Sequence, residues 1–197
     1  MEHDPHIGEA YAKSPDRTAI MGYSHWAQEP DHAAFTTQTM RSVIDGKYQD
    51  ISFFNFIPAY FREERTYFWN RVMFLNFLPR KIGGPGDRFA TGSAEATLAG
   101  KERALRLMEV YAPNRLFVFS RKAWEGLPSS LEDAAKVTAQ RILEDQIFDR
   151  HHYHFRTGHV VQAFGLRHTQ GAIKEVMTRA ITAALRMPPS TPNLDRP

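Results

Sequence analysis

The sequence predicts an α/β fold, a three-layer α/β/α sandwich around a four-stranded, mainly parallel sheet. Short apolar runs alternate along the chain with segments whose apolar residues recur at helical spacing. Residues 71–78 are almost wholly apolar, which is typical of a strand buried on both faces of a parallel sheet. The length of 197 residues suits one domain with a substantial core. We expect this domain over residues 17–187, after a flexible arm (1–16) and before a disordered Pro-rich tail (188–197).

Four segments have the composition of strands. They are residues 17–21, 71–78, 115–120 and 159–164. Residues 51–60 stay open between strand and helix, because the segment is rich in aromatic residues and ends near Pro58.

Helical spacing or helix-capping residues mark the segments between these strands. Asp31 is a candidate N-cap for a helix that stops at Gly46, and Ser130 is a candidate N-cap for another over 130–143. The other helices are expected at 95–111, in a short turn through Trp124, and at 171–186.

Composition excludes several classes of protein. The chain has no cysteine, so it has no disulfide, no Cys-ligated zinc and no Cys-held iron–sulfur cluster. No apolar run approaches the roughly 20 residues that span a bilayer, and the polar N-terminus does not resemble a secretory signal. We therefore expect a cytoplasmic protein with no membrane partner.

Charge and histidine content are less decisive. The net charge of +3 permits nucleic-acid binding without requiring it. His151, His152 and His154 do not have the spacing of a usual zinc site, and we interpret them as a surface or packing cluster. We therefore expect neither a metal nor another cofactor.

Two polar, His-bearing loops follow predicted strands, at residues 22–26 and 166–171. Loops at the carboxyl ends of parallel strands form the ligand crevice of an open α/β sheet. His168 precedes a predicted helix, whose N-terminus disfavours a charged imidazole. A neutral His168 can still donate a hydrogen bond to an oxygen that gains negative charge. The alternative is that His168 only caps the helix or bonds a backbone carbonyl.

Other residues near these loops have chemistry suited to a nucleobase. Asn76 ends the buried 71–78 run, and its amide offers a donor and an acceptor to an imide edge. Alternatively, Asn76 satisfies the backbone of its own loop. Gly22 leaves room beside the backbone, and Tyr23 or Trp26 can stack on a planar ring.

Basic residues flank the glycine-rich loop that follows Asn76. Arg80, Lys81 and Arg88 can contact phosphates or can form a solvated loop, and the sequence leaves both readings open.

Taken in order, these segments resemble the uracil-DNA glycosylase superfamily, particularly a bacterial branch of it, from about Arg17 to about Leu185. The matching pieces are Gly22-Tyr23-Ser24-His25-Trp26, Phe68-Trp69-Asn70-Arg71-Val72-Met73-Phe74-Leu75-Asn76, Leu116-Phe117-Val118-Phe119-Ser120 with Trp124, and Leu166-Arg167-His168-Thr169-Gln170. The sequence departs from the family pattern in the first loop, where no carboxylate remains to orient a water, and at Thr169, which replaces a proline.

The resemblance implies a DNA-repair role in base excision: recognition of a flipped uracil or other damaged base and cleavage of its N-glycosidic bond. It implies that His168 supports the departing base and that Asn76 reads it. The remaining expected site residues are Ser24 and Tyr23 in the water-activating position, Gly22, His25, Trp26, Thr169 and Gln170 around the base, and Arg80, Lys81, Arg88 and Arg167 on phosphates.

Two other functions remain open. One is a catalytically impaired nucleobase or nucleic-acid binding module of the same fold, which the missing carboxylate favours. The other is a small-molecule hydrolase that uses Ser24 with His168. It lacks support from a nucleophile-elbow motif, because Trp26 stands where that motif requires glycine.

Overall fold

A computed structural model describes residues 1–25, 30–48, 52–83, 90–129, 135–140 and 147–188. The strands are β1 (His6–Ile7), β2 (Thr18–Gly22), β3 (Met73–Asn76), β4 (Arg115–Val118), β5 (Ala135–Gln140), β6 (Ile147–Phe155) and β7 (Val160–Leu166). The helices are α1 (Phe35–Ile44), α2 (Ser52–Tyr60), α3 (Arg65–Arg71), α4 (Ala94–Tyr111), α5 (Arg121–Gly126) and α6 (Lys174–Arg186).

The described strands form one mixed sheet in the order β1-β3-β2-β4-β7-β6-β5. The four strands expected from the sequence, β2, β3, β4 and β7, lie together at its centre and are mutually parallel. The α/β class is therefore confirmed, whereas the expected count of four strands is wrong, because three antiparallel strands extend the sheet to seven.

The helix predicted over 130–143 is wrong, because residues 135–140 form β5. This strand pairs antiparallel with β6, with Ala135 opposite Phe155 and Gln140 opposite Arg150. Pairing with β6 satisfies the backbone groups of both strands, and this long-range gain overrides the local helical spacing. Ser130, the expected N-cap, lies outside the described residues.

The first 16 residues pack against the domain and do not form the flexible arm that we expected. β1 pairs antiparallel with β3, so it covers one edge of the sheet. His3 is buried, and its Nε2 lies 2.5 Å from Oδ1 of Asp31. Asp31 therefore does not cap α1, which begins at Phe35 without a side-chain cap.

Residues 51–60 resolve as helix α2, although Pro58 lies inside it. A proline has no N–H to donate to the carbonyl four residues earlier, which here belongs to Phe54. The indole N–H of Trp69 donates to that carbonyl at 3.0 Å. The α3 side chain thus replaces the missing helical bond and fixes α2 against α3.

Two apolar clusters cover the two faces of the sheet. One packs α4 and α5 on Met21, Leu75 and Val118, and the other packs α1, α2, α3 and α6 on Ile20, Phe74 and Phe117. Successive strand residues point to opposite faces, so Gly22 and Asn76 belong to the side of α2 and α6. Within the part of the chain that is described, no helix is long and apolar enough to cross a membrane. Of the tail predicted at 188–197, only Pro188 lies within the described residues.

Candidate functional site

Gly22 and Asn76 lie side by side at the carboxyl ends of β2 and β3. They are register partners in the parallel pair. An ideal Cβ at position 22 would lie 2.4 Å from Oδ1 of Asn76 and 3.5 Å from Cζ of Phe53. Only glycine at position 22 leaves room for the Asn76 amide, which lies between the strand backbone and the Phe53 ring.

The backbone of Asn76 is held from the other face of the sheet. Arg103 of α4 is 2% exposed and donates from Nη1 to the Asn76 carbonyl at 2.9 Å, while its Nη2 donates to the carbonyl of His3. Burial lowers the pKa of Arg103 to about 10, which leaves the guanidinium charged at neutral pH. The side-chain amide of Asn76 has no hydrogen-bond partner among the described residues, so it remains available to a ligand.

His168 follows β7 and reaches the same edge of the sheet. Its ring centroid lies 5.7 Å from that of Phe53, with the planes tilted by 34°. Nδ1 of His168 accepts a hydrogen bond from the Gln170 N–H at 3.1 Å. An accepting Nδ1 carries no proton, so the neutral ring has its proton on Nε2 and is a donor from that atom.

Phe53 connects the two predicted residues, and sequence reasoning did not select it. The ring is 9% exposed, near the Asn76 amide on one side and the His168 ring on the other. It lies in the first turn of α2, in the segment that stayed open between strand and helix. The sequence signal was an aromatic cluster, which is ordinarily core, so nothing distinguished this ring from its neighbours.

Tyr23 lies on the opposite face of the sheet from Phe53. Its ring stacks on Phe77 at 6.4 Å, and its hydroxyl accepts a hydrogen bond from the Gly92 N–H at 2.9 Å. Nζ of Lys122 lies 5.6 Å from the ring centroid. These contacts commit Tyr23 to the α4–α5 side, away from Asn76 and His168.

Ser24 and His25 are also engaged within the fold. Oγ of Ser24 donates to the carbonyls of His25 at 2.9 Å and Arg80 at 3.2 Å, and not to the His168 imidazole. His25 is buried with Nε2 2.9 Å from Oγ1 of Thr36, and burial lowers its pKa to about 3. A Ser24–His168 pair for hydrolysis is therefore absent from the described residues.

The residues after His168 contribute differently. Thr169 is buried, its carbonyl accepts from the Tyr60 hydroxyl at 3.4 Å, and its Oγ1 has no partner within the described part of the chain. Arg167 and Gln170 are exposed. This places two polar side chains at the surface beside His168 and anchors the loop on α2 through Thr169.

The basic residues expected on phosphates are only partly described. Nε of Arg80 donates to the Met1 carbonyl at 2.6 Å, and the side chain is exposed. Lys81 is half-buried. Arg88 and Trp26 lie outside the described residues.

The β6 histidines divide between the two faces of their strand. His151 is buried, stacks on Trp124 at 4.3 Å and has Nδ1 3.2 Å from the Tyr153 hydroxyl. His152 and His154 lie on the other face, and burial lowers the pKa of both His151 and His152. Among the residues that are described, no group of three or more His, Cys, Asp or Glu side chains has an arrangement that could hold a metal ion.

Of the predicted site residues, the fold brings Gly22, Asn76 and His168 together around Phe53. We call these four residues the carboxyl-edge site. In comparisons with known proteins, no protein-family model and no curated protein matches this chain.

Proposed function

We propose that the carboxyl-edge site recognises a flipped-out nucleobase, uracil or another damaged base in DNA, and that the protein is a glycosylase of the uracil-DNA glycosylase type. The observation that carries this proposal is the arrangement of three chemistries on one aromatic ring. An amide without a protein partner and an imidazole with a donor Nε2 lie on either side of Phe53.

Each group matches one part of a pyrimidine. The Asn76 amide can donate to a carbonyl oxygen and accept from the adjacent imide N–H. The Phe53 ring provides an apolar face for stacking. Since Asn76 is 5% exposed and His168 is exposed, the base enters from the His168 side.

Cleavage breaks the bond between C1′ of the sugar and the base nitrogen, and water adds to C1′. The base departs with the bonding electron pair, so negative charge develops on its ring oxygen. A neutral His168 donates from Nε2 to that oxygen. One such hydrogen bond is commonly worth about 3 kcal/mol, or about a hundredfold in rate.

A binding module that does not cleave is the second candidate. It is favoured by the state of the first loop, where Ser24 donates to two backbone carbonyls and Tyr23 lies on the other face. Neither residue is in position to orient an attacking water beside His168.

A single-turnover assay on a single-stranded, uracil-containing oligonucleotide tests both functions, with abasic product and bound complex measured together. For the enzyme, we expect wild-type product formation, a loss of about a hundredfold in His168→Ala, and weaker complex formation in Asn76→Ala. His159→Ala is the matched control, since His159 bonds the Pro113 carbonyl at the opposite end of β7. Uracil-dependent binding without product identifies the module, and neither product nor uracil-dependent binding contradicts both proposals.

A further inference from the structure

A groove lies between the C-terminal end of α2 and the first two turns of α6. Its lining contains three cationic side chains, one carboxylate, one hydroxyl and one methyl group. The residues are Ala59, Arg62, Lys174, Glu175, Thr178 and Arg179. The excess of positive charge favours an anionic occupant.

The groove continues from the carboxyl-edge site along α2. Phe53, Phe56 and Ala59 recur every three residues, so they follow one side of the helix. The rise per residue places Ala59 about 9 Å along the axis from Phe53. Between them, the Phe56 ring is 44% exposed, which provides an aromatic surface between the site and the cations.

Arg62 occupies a backbone position that ordinarily selects glycine. Its φ is +59°, in the left-handed region. The Glu63 N–H donates to the Pro58 carbonyl at 3.0 Å and the Arg62 N–H to the Ala59 carbonyl at 3.2 Å. This bonding pattern is the Schellman ending of a helix, in which the left-handed residue is usually glycine.

An arginine at this position costs conformational energy that glycine would not. The side chain that results from this choice lines the groove. Strain retained at one position, together with two further cations from the facing helix, indicates a binding role for the Arg62 guanidinium.

We propose that the α2–α6 groove binds the phosphodiester backbone of a single nucleic-acid strand that leads to the carboxyl-edge site. This inference rests on the proposed function, which it extends from the base to the strand. Arginine guanidinium groups bind phosphate oxygens in a bidentate manner, and Lys174 adds a point charge. The exposed Phe56 ring can stack on a base of the same strand, as aromatic side chains do in proteins that bind single strands.

Fluorescence anisotropy with two labelled probes of equal length tests the proposal. One probe is oligothymidylate, and the other is a strand of abasic spacers that carries phosphates without bases. We expect Lys174→Glu and Arg179→Glu each to weaken binding of both probes about tenfold at low salt, and to reduce the salt dependence by about 0.7 in log–log slope per lost contact. Arg156→Glu is the matched control, because Arg156 is an exposed arginine in the β6–β7 turn.

Arg62→Gly separates binding from folding. We expect this variant to melt at a higher temperature than wild type, because glycine removes the strain, and to bind the spacer strand more weakly. The proposal is overturned if the wild type does not bind the spacer strand, if Arg156→Glu loses as much affinity as the groove variants, or if the groove variants keep wild-type affinity and slope.

The two proposals fail separately. Asn76→Ala reports on the base site, since we expect it to remove a preference for a uracil-containing strand and to leave spacer binding intact. If the wild type binds the spacer strand through the groove but shows no uracil preference, the base site is wrong and the phosphate groove stands.

Discussion

Gly22 shows how one missing side chain determines the site. Its position accepts the Asn76 amide because no Cβ occupies the space where Oδ1 lies, 2.4 Å from an ideal Cβ. Gly22→Ala therefore displaces the amide from its place beside Phe53. We expect this variant to remain folded and to bind a uracil-containing strand as weakly as Asn76→Ala does, measured by anisotropy with circular dichroism as the folding control. Wild-type affinity in folded Gly22→Ala contradicts this role of Gly22.

His25 makes the stability of the fold dependent on pH. Burial lowers its pKa from 6.5 to about 3, the neighbouring charges of His3 and Arg103 lower it further, and Asp31 opposes them. Because the unfolded chain then binds one more proton than the folded chain between these two values, stability is lost as pH falls from 6.5 towards 3 and is unaffected above 6.5. The expected slope from this residue is about 1.4 kcal/mol per pH unit.

Urea unfolding of wild type and His25→Gln at several pH values measures this contribution. His6, His151 and His152 also have lowered pKa values, so the difference between the two proteins isolates His25. We expect the free energy of unfolding to fall less steeply below pH 6.5 in the variant. Parallel curves for the two proteins would show that His25 is not responsible.

At the scale of elements, α4 is joined to β3 and to the N-terminal segment by a single buried guanidinium. Arg103 bonds the carbonyls of Asn76 and His3, and Glu2 lies 3.7 Å from its Nε. Arg103→Met leaves both carbonyls without that donor, and we expect a loss of about 2–4 kcal/mol in the free energy of unfolding. Arg106→Met is the control on the same helix, because the Arg106–Glu2 pair is exposed and we expect a change below about 1 kcal/mol. Equal losses in the two variants would contradict the structural role of Arg103.

The elements that could be predicted from sequence are those with a local signal. β2, β3, β4 and β7 are short apolar runs, and their buried position on both faces follows from composition alone. β5 could not be predicted, because it depends on pairing with β6, whereas its own segment has apolar residues at helical spacing.

The site was predictable to the same extent. Asn76 and His168 end predicted parallel strands, so topology alone places them at one edge of the sheet. Phe53 could not be selected, because its position depends on α2, where the indole of Trp69 replaces the backbone donor that Pro58 lacks. The direction of Tyr23, towards Phe77, follows from strand alternation only once the start of β2 is known.

At the scale of the whole molecule, the N-terminal segment closes one edge of the sheet. β1 covers β3, the His6 Nε2 lies 2.9 Å from the Trp69 carbonyl, and the Gly8 N–H donates to the Val72 carbonyl at 3.0 Å. Deleting residues 1–7 exposes the β3 edge, and unpaired edges promote association between chains. We expect this truncated chain to melt at a lower temperature and to associate in a concentration-dependent manner in light scattering.

Deletion of residues 1–2 alone is the control for that truncation, since it leaves β1 in place. If the longer deletion stays monomeric and melts with the shorter one, the segment is dispensable for closing the sheet.

Titration of the protein with free uracil, followed by NMR, tests the central claim most directly, because it requires neither turnover nor a strand. Asn76, Phe53 and His168 lie around one ring position, so we predict saturable shifts of the Asn76 side-chain amide and the His168 ring protons, and their loss in Asn76→Ala. Shifts confined to other parts of the chain, or none at all, would contradict a nucleobase site at the carboxyl edge of the sheet.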